Sequence, residues 1–438
     1  MMEQTKGQAE VSWGRALRQG TLAIGTMLPC CLLVPLLLQQ AGMPYPGAYT
    51  AMLLTSIVGT LYMAWRRLPL LVLPSLSLTV WLVWLVMLAD GLNWQFVLAV
   101  QAIAAAVGWL LWQLPLRRRL PELLPPVLHW ALPTLLAVLL VLYGLVQGRV
   151  IMHSPWAVTA LGNLHDPMAY LSLIGLLVLA LLWVRRCRGA ALWAGLLTAG
   201  LALAEGFWVL PASPFLVPEG LDRTALMLNP WLPLPTGGLA AAVLTGLVLV
   251  LVLSSLGWSA AEAARSGQSQ GKIVAVTFAF TLLGAFLGSV PVTVAPASAI
   301  AGQDQQDDGP QEGKGQDGGR RTALVMAAWL LVLLICAPVV RSMADFPVMA
   351  TPMLVGCGLW LFIRQLQRAQ RVFWDRVNSL ATAAVLGLAL SWNVTAALGA
   401  GLLAWALLNH VSGQGTRVNV WQRILALVWL AYFFFADL

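Results

Sequence analysis

Two prolines set inside apolar stretches, each followed by small or hydroxylated residues, are the places where this 438-residue sequence could do chemistry. The first reads Val72-Leu73-Pro74-Ser75-Leu76-Ser77-Leu78 and the second Val294-Ala295-Pro296-Ala297-Ser298-Ala299-Ile300. In each, an extended, β-branched or Pro-punctuated stretch (Leu68 to Leu73; Ser289 to Ala295) runs into the proline. Proline lacks an amide hydrogen and suits the first turn of a helix, so each segment predicts extended chain that becomes a helix partway through an apolar run. A helix start of this kind presents free N–H groups and a positive dipole end. Ser75, Ser77 and Thr79 on one side, with Ser298 beside Ala297 and the pair Ser254-Ser255 on the other, would add neutral hydroxyls. That set can hydrogen-bond a small polar solute but cannot exchange a proton with it. Taken singly, Pro74 and Pro296 read better as kinks in ordinary transmembrane helices, where proline is common. Their matched positions favour the interrupted reading.

Other polar residues within the apolar runs are few. Glu205 falls in the outer part of the seventh run and is the candidate for ion coupling, against the plainer reading that it reaches the headgroups. Gln101 could serve a solute or bridge two helices, and the bridge is the commoner role. His153, His165 and Asp166 share one loop without the tight spacing of a metal site, and Cys30, Cys31, Cys187, Cys336 and Cys357 suggest neither a metal site nor a disulfide framework. No metal or cofactor is expected.

The elements that must hold these residues are membrane helices. With 60% hydrophobic and 10% charged residues, the chain cannot solvate the surface of a soluble domain. Its apolar runs have the length an α-helix needs to cross a bilayer, and they lack the alternation of a barrel. The predicted spans are 20–39, 47–65, 69–88, 93–113, 124–147, 168–185 and 189–210, then 237–258, 272–289, 291–302, 322–341, 346–363, 375–391 and 395–410. Lys and Arg test that list independently, because they concentrate in cytoplasmic loops. With the N-terminus in the cytoplasm, only Arg149, Arg223 and Arg341 of the 25 Lys and Arg fall outside. The net charge of +8 therefore describes loops facing an anionic inner leaflet, and no nucleic-acid partner is expected. A polar start without a signal-peptide core implies that the first span stays in place.

Fourteen spans divide into two sets of seven around a Pro-rich outside linker. Seven is odd, so the second set starts from the opposite side of the membrane, as in an inverted repeat. The expected organisation is a cytoplasmic N-terminus (1–19), a first repeat (20–210), the linker (211–236) and a second repeat (237–410) carrying a polar cytoplasmic loop (303–321). A tail (411–438) follows, with a short apolar segment whose topology over 421–436 is left open. The two proline breaks fall in the third span of each repeat, the best sequence pointer to a transporter's binding site.

A set of short motifs, in order along nearly the whole chain, resembles the AzgA-like purine permeases of the nucleobase:cation symporter 2 group. They are Ala41-Gly42-Met43, Leu68-Pro69 with Leu73-Pro74, Gly91-Leu92-Asn93-Trp94-Gln95, Leu161-Gly162-Asn163-Leu164, Leu283-Gly284-Ala285-Phe286-Leu287-Gly288-Ser289, Gly318-Gly319-Arg320-Arg321-Thr322 and Ala350-Thr351-Pro352-Met353-Leu354-Val355-Gly356. No single piece is specific; their order and spacing are. The resemblance implies an all-α polytopic fold of about fourteen spans in a seven-plus-seven inverted repeat with core and gate domains and two half-helix segments. It also implies a permease of purine nucleobases or related small heterocycles in a bacterial inner membrane, usually proton-coupled, with the solute held between spans one, three, eight and ten. Its partners would be the small-molecule substrate, the lipid bilayer and a second copy of the chain in a homodimer.

The departures from the family pattern bear on mechanism. Thr79 stands where an amide side chain is usual, Leu251-Val252-Leu253-Ser254-Ser255 replaces an acid-bearing eighth span, and Ala295-Pro296-Ala297-Ser298-Ala299-Ile300 contains no carboxylate. A carboxylate in a low-dielectric site could bind a purine N–H and take up the coupling proton. Serine and alanine cannot. Either the solute differs, or coupling is lost, or the chain is a non-transporting regulatory or scaffold relative. A further alternative is a membrane enzyme of envelope metabolism acting through Arg149, His153, His165, Asp222 and Arg223.

Overall fold

A computed structural model describes residues 13–113, 123–152, 154, 159–230, 238–266, 270–294, 316–369 and 374–435. Apolar runs bounded by Pro, Gly and Arg become helices, as backbone polar groups in lipid must be satisfied within the chain. The first repeat contains α1 (Trp13–Gln40), α2 (Tyr45–Trp65), α3 (Leu76–Trp81, widening into a π-helical stretch Leu82–Ala89), α4 (Trp94–Gln113), α5 (Pro126–Gln147), α6 (Pro167–Val184) and α7 (Ala190–Ala204). The second contains α8 (Gly238–Ser266), α9 (Gln270–Leu287), α10 (Gln316–Ile335), α11 (Ala337–Asp345), α12 (Ala350–Ala369), α13 (Arg376–Gly387) and α14 (Val394–Val411), and α15 (Val420–Phe435) closes the chain. Among the described residues eight helices are long and apolar enough to cross a bilayer alone. Shorter or interrupted segments account for the other expected spans within the described residues, and the expected span 291–302 lies outside them beyond Val294.

Two of those interruptions meet. Strand β1 (Val72–Pro74) pairs antiparallel with β4 (Val292–Val294) in the register Val72 to Val294, Leu73 to Thr293 and Pro74 to Val292, and both are buried. A second small ladder, β2 (Ile151–Met152) with β3 (Ala160–Leu161), lies in the loop before α6. Three-residue strands leave amides over, and neighbouring side chains take them up. The Thr60 hydroxyl accepts from the Val72 amide at 3.3 Å, and in the other repeat the Thr281 hydroxyl accepts from the Val292 amide at 3.2 Å. Gln101, fully buried, donates to the carbonyls of Thr281 (3.3 Å) and Ser289 (3.0 Å), so its role is the bridge between helices.

The helix packing obeys the same two-fold relation. Helix α2 lies on α10 as α4 lies on α9; α1 packs on α2 as α8 packs on α9; α6 on α7 matches α13 on α14; α1 on α12 matches α8 on α5. The pairs α2 with α9, β1 with β4, and α5 with α12 map onto themselves. The fold is thus a seven-plus-seven inverted repeat, with α1 to α4 and α8 to α10 forming the core and α5 to α7 and α12 to α14 the gate.

Some boundaries move from their sequence-based places. The run 322–341 does not continue as one helix: α10 ends at Ile335, and the amphipathic α11, carrying Arg341 and its ion pair to Asp345, meets α12 at 89°. The seventh span stops at Ala204, so Glu205 caps a helix end instead of lying within it. The C-terminal segment is a helix that packs on α8 and α14, with Trp429 wholly buried against Gly399.

The linker is strapped to the core. The Thr50 hydroxyl donates to the Glu219 carbonyl (3.0 Å), the Leu216 amide to Ile335 (3.0 Å), the Leu226 amide to Phe286 (2.7 Å) and the Asn229 amide to Gln95 (3.3 Å). These anchors lie on α2, α10, α9 and α4. Gly47 allows the approach: a side chain there would run into Thr224 and the Gly220 carbonyl, and Gly220 itself turns at φ +81°.

Glycine also sets the distance between α4 and α9. A Cβ at Gly108 would stand 2.5 Å from the buried Phe278 ring, whereas one at Gly200 on α7 meets nothing within 4 Å. Gly108→Ala is expected to cost about 1–3 kcal/mol through overpacking. Gly200→Ala should be neutral or gain up to about 1 kcal/mol of helix propensity. Thermal unfolding of the two purified variants checks this; equal midpoints would contradict the α4–α9 packing.

Candidate functional site

The paired breaks place a helix start against the gate. Ser75, with extended backbone (φ −78°, ψ 109°), precedes α3, and its side chain does not cap that helix. The first-turn amides of Leu76, Ser77 and Leu78 have no partner within the helix, by helix geometry. Beside them is a cavity of about 40 Å³. Thr26, Met27 and Cys30 of α1 line it, with Pro74 to Ser77, Trp258 of α8 and Thr293 of β4 completing the core wall. The gate supplies Leu136 and Leu140 of α5 and Leu354, Cys357 and Leu361 of α12. The volume has room for a few waters. A larger solute needs core and gate to separate.

The polar atoms of the wall are largely committed. The Thr26 hydroxyl donates to the carbonyls of Leu22 (2.9 Å) and Ala23 (3.0 Å), which leaves it able to accept. Ser77 donates across the boundary to the Leu136 carbonyl of α5 at 2.9 Å, and the Cys357 thiol of α12 reaches the Thr26 carbonyl at 3.6 Å. Those two contacts hold core to gate in this conformation. The Trp258 indole N–H donates to the Val294 carbonyl at 2.9 Å, so its ring is fixed against β4 at the cavity wall. Among the described lining residues there is no carboxylate, imidazole or amine.

Of the residues expected from sequence, Pro74, Ser75 and Ser77 line the cavity. Thr79 does not: it is fully buried and its hydroxyl turns back to the Ser75 carbonyl at 2.8 Å. Ser255 likewise donates to its own helix at Leu251 (2.7 Å), while Ser254 is wholly buried with no hydrogen-bond partner for its hydroxyl. Neither serine reaches the wall. What α8 brings there is Trp258, one turn beyond Ser254, and the four-residue spacing from Ser254 was the available signal. Thr26 and Thr293 were also missed. Pro296, Ala297 and Ser298 lie outside the described residues. Glu205 sits exposed at the end of α7, hydrogen-bonded by the Tyr170 hydroxyl, and is not among the cavity residues.

Among the loop residues of the enzyme alternative, Arg149 has a structural task. Asp166 caps α6 by accepting from the Met168 amide (3.0 Å) and pairs with Arg149 at 2.7 Å; the Arg149 guanidinium holds its carboxyl below the usual carboxylate range. His153 lies outside the described residues.

Curated relatives extend over nearly the whole chain. The guanine/hypoxanthine permease PbuO of Bacillus subtilis is 25% identical over 442 residues, 95% of this chain and 96% of its own length. A permease of Methanocaldococcus jannaschii is 24% identical over 96% of each chain. The nucleobase transporter PlAzg2 of Paenibacillus larvae is 25% identical over 79% of this chain and 68% of its own. No family model matches. Among solved structures, the transmembrane domain of the cyanobacterial bicarbonate transporter BicA superposes with a TM-score of 0.55 at 15% identity, covering 88% of this chain and 97% of that one. SLC26A9 superposes with a TM-score of 0.57 at 11% identity, covering 91% and 65%. The structures carry the fold alone. The sequence relatives bear the names that the motif resemblance to AzgA-like purine permeases implies, and the chain is a multi-pass membrane transporter.

The contact from Ser77 to Leu136 gives a direct test of the core–gate boundary. A hydrogen bond of this kind contributes about 1 kcal/mol or somewhat less. Ser77→Ala should therefore speed maleimide labelling of the cavity thiols Cys30 and Cys357 roughly threefold to fivefold, as read by mass-spectrometric mapping. An unchanged rate would mean that the bond does not restrain the opening.

Proposed function

We propose that this transporter carries uncharged planar heterocycles of the purine nucleobase class, by movement of the core against the gate and without proton coupling at the cavity. The observation that carries the proposal is the cavity itself, where an interrupted span presents first-turn amides and neutral hydroxyls, a fixed indole forms one wall, and no described lining residue carries a carboxylate, imidazole or amine. A nucleobase has ring and exocyclic donors and acceptors that cost several kcal/mol each if they enter an apolar site without partners. The amides of Leu76 and Ser77 can donate to its acceptors, and Thr26 and Ser75 can accept from its N–H groups. The Trp258 ring offers an aromatic face for its plane. The names of the curated relatives support the solute class.

Proton-coupled carriage needs a group whose ionisation changes with access. Thr26, Ser75, Ser77 and Thr293 are not such groups. The reading is therefore of a carrier that equilibrates its solute, seated in a bacterial inner membrane with its N-terminus in the cytoplasm. The distribution of Lys and Arg supports that orientation.

The test is uptake of radiolabelled guanine and hypoxanthine into proteoliposomes. Saturable entry that stops at equal concentrations inside and out, at the same rate with or without an imposed pH gradient, is expected. Leu354→Trp, which fills the cavity from α12, should abolish entry while the protein remains folded. Accumulation that follows the proton gradient would refute the uncoupled mechanism, and absence of saturable entry for both bases would refute the solute class.

A further inference from the structure

A larger hollow, about 690 Å³, lies away from the cavity, where the end of α2 and the end of α4 meet the start of α9. Its walls are apolar and aromatic: Tyr62 and Phe280 pair across α2 and α9 with ring centroids 5.6 Å apart, Ala279 lies beside them, and Trp109 closes the α4 side. Two cations, Arg66 and Lys272, stand in the same hollow, both exposed. Neither side chain has an ion pair or hydrogen bond among the described residues. The flanks are apolar and open, with Leu61 44%, Trp65 73%, Val107 40% and Leu110 57% exposed, so the hollow faces lipid. It lies at the chain end of α2, the side on which Lys and Arg concentrate.

We propose that this groove binds one anionic phospholipid of the inner leaflet, its phosphodiester between Arg66 and Lys272 and an acyl chain along Tyr62, Ala279 and Phe280. Charge complementarity selects the occupant. Two cations with no ion pair among the described residues, at one end of an apolar groove, suit a molecule that carries a negative phosphate next to hydrocarbon, and a guanidinium matches phosphate oxygens in a bidentate manner. A zwitterionic lipid would fill the groove but return less to the cations, and a soluble phosphate would satisfy the cations while leaving the groove empty. The occupant would join α2 of the first repeat to α9 of the second at the inner face, on the core alone.

The experiment uses the full chain purified in neutral detergent. Phosphatidylglycerol, phosphatidylcholine of the same acyl chains and inorganic phosphate are added separately; bound lipid is counted by native mass spectrometry and the melting midpoint is recorded. Wild type should retain one phosphatidylglycerol in preference to phosphatidylcholine and melt higher with it, with no such shift from inorganic phosphate. In Arg66→Gln/Lys272→Gln, both exposed positions that leave the fold intact, phosphatidylglycerol affinity should fall about tenfold or more, since each basic residue near an anionic headgroup contributes appreciably. Ala279→Leu, which keeps both cations and narrows the groove, should also weaken the lipid. Equal retention of the two lipids, undiminished phosphatidylglycerol binding in the double variant, or an equal shift from inorganic phosphate would each overturn the proposal.

Discussion

Everything in this structure follows from the rule that a backbone amide or carbonyl buried among membrane helices must find a partner. Two spans break the helical solution at Pro74 and near Val294, and the break in one repeat is the remedy for the break in the other: β1 and β4 exchange their main-chain bonds across the pseudo-two-fold axis. What the short ladder leaves over is taken by threonines at related places, Thr60 and Thr281, and by Trp258 and Gln101. A single broken span would strand these groups. A pair of them makes a rigid centre from which helix α3 can start inside the bundle.

That centre divides the molecule mechanically. The core is tied by the ladder, by glycine-mediated closeness of α4 to α9 and by the linker between the repeats, hydrogen-bonded to α2, α4, α9 and α10. The gate is held by the α5–α12 packing on the axis. Between them lie a small, mostly apolar cavity and two hydrogen bonds, from Ser77 to Leu136 and from Cys357 to Thr26. Weak polar contacts over an apolar boundary suit two bodies that must slide, whereas a dense polar interface would hold them in one arrangement.

Among its described lining residues the cavity has no carboxylate. With Ser254 and Ser255 turned away and Trp258 at the wall, α8 contributes an aromatic surface to the cavity. The cavity presents amides, hydroxyls and a ring, and for the proposed solute the energetic requirement moves from charge to geometry. Desolvated neutral groups discriminate by whether each finds its partner.

The amino-acid sequence determined the membrane-helix class, the seven-plus-seven order of the spans and the existence of two related breaks, because apolar length and proline chemistry are local properties. It also singled out Pro74, Ser75 and Ser77, which line the cavity. The tertiary structure alone decided the register of β1 on β4, the end of α7 before Glu205, the bend between α11 and α12, and which hydroxyls face the cavity. Thr79 and Ser255 have the same composition-level credentials as Ser77, yet each bonds to its own helix. Ser77 donates to α5 because packing brings the Leu136 carbonyl within reach. A hydroxyl in a membrane helix chooses between its own backbone and a neighbour's, and only the rotation and approach of the neighbouring helix settle that choice.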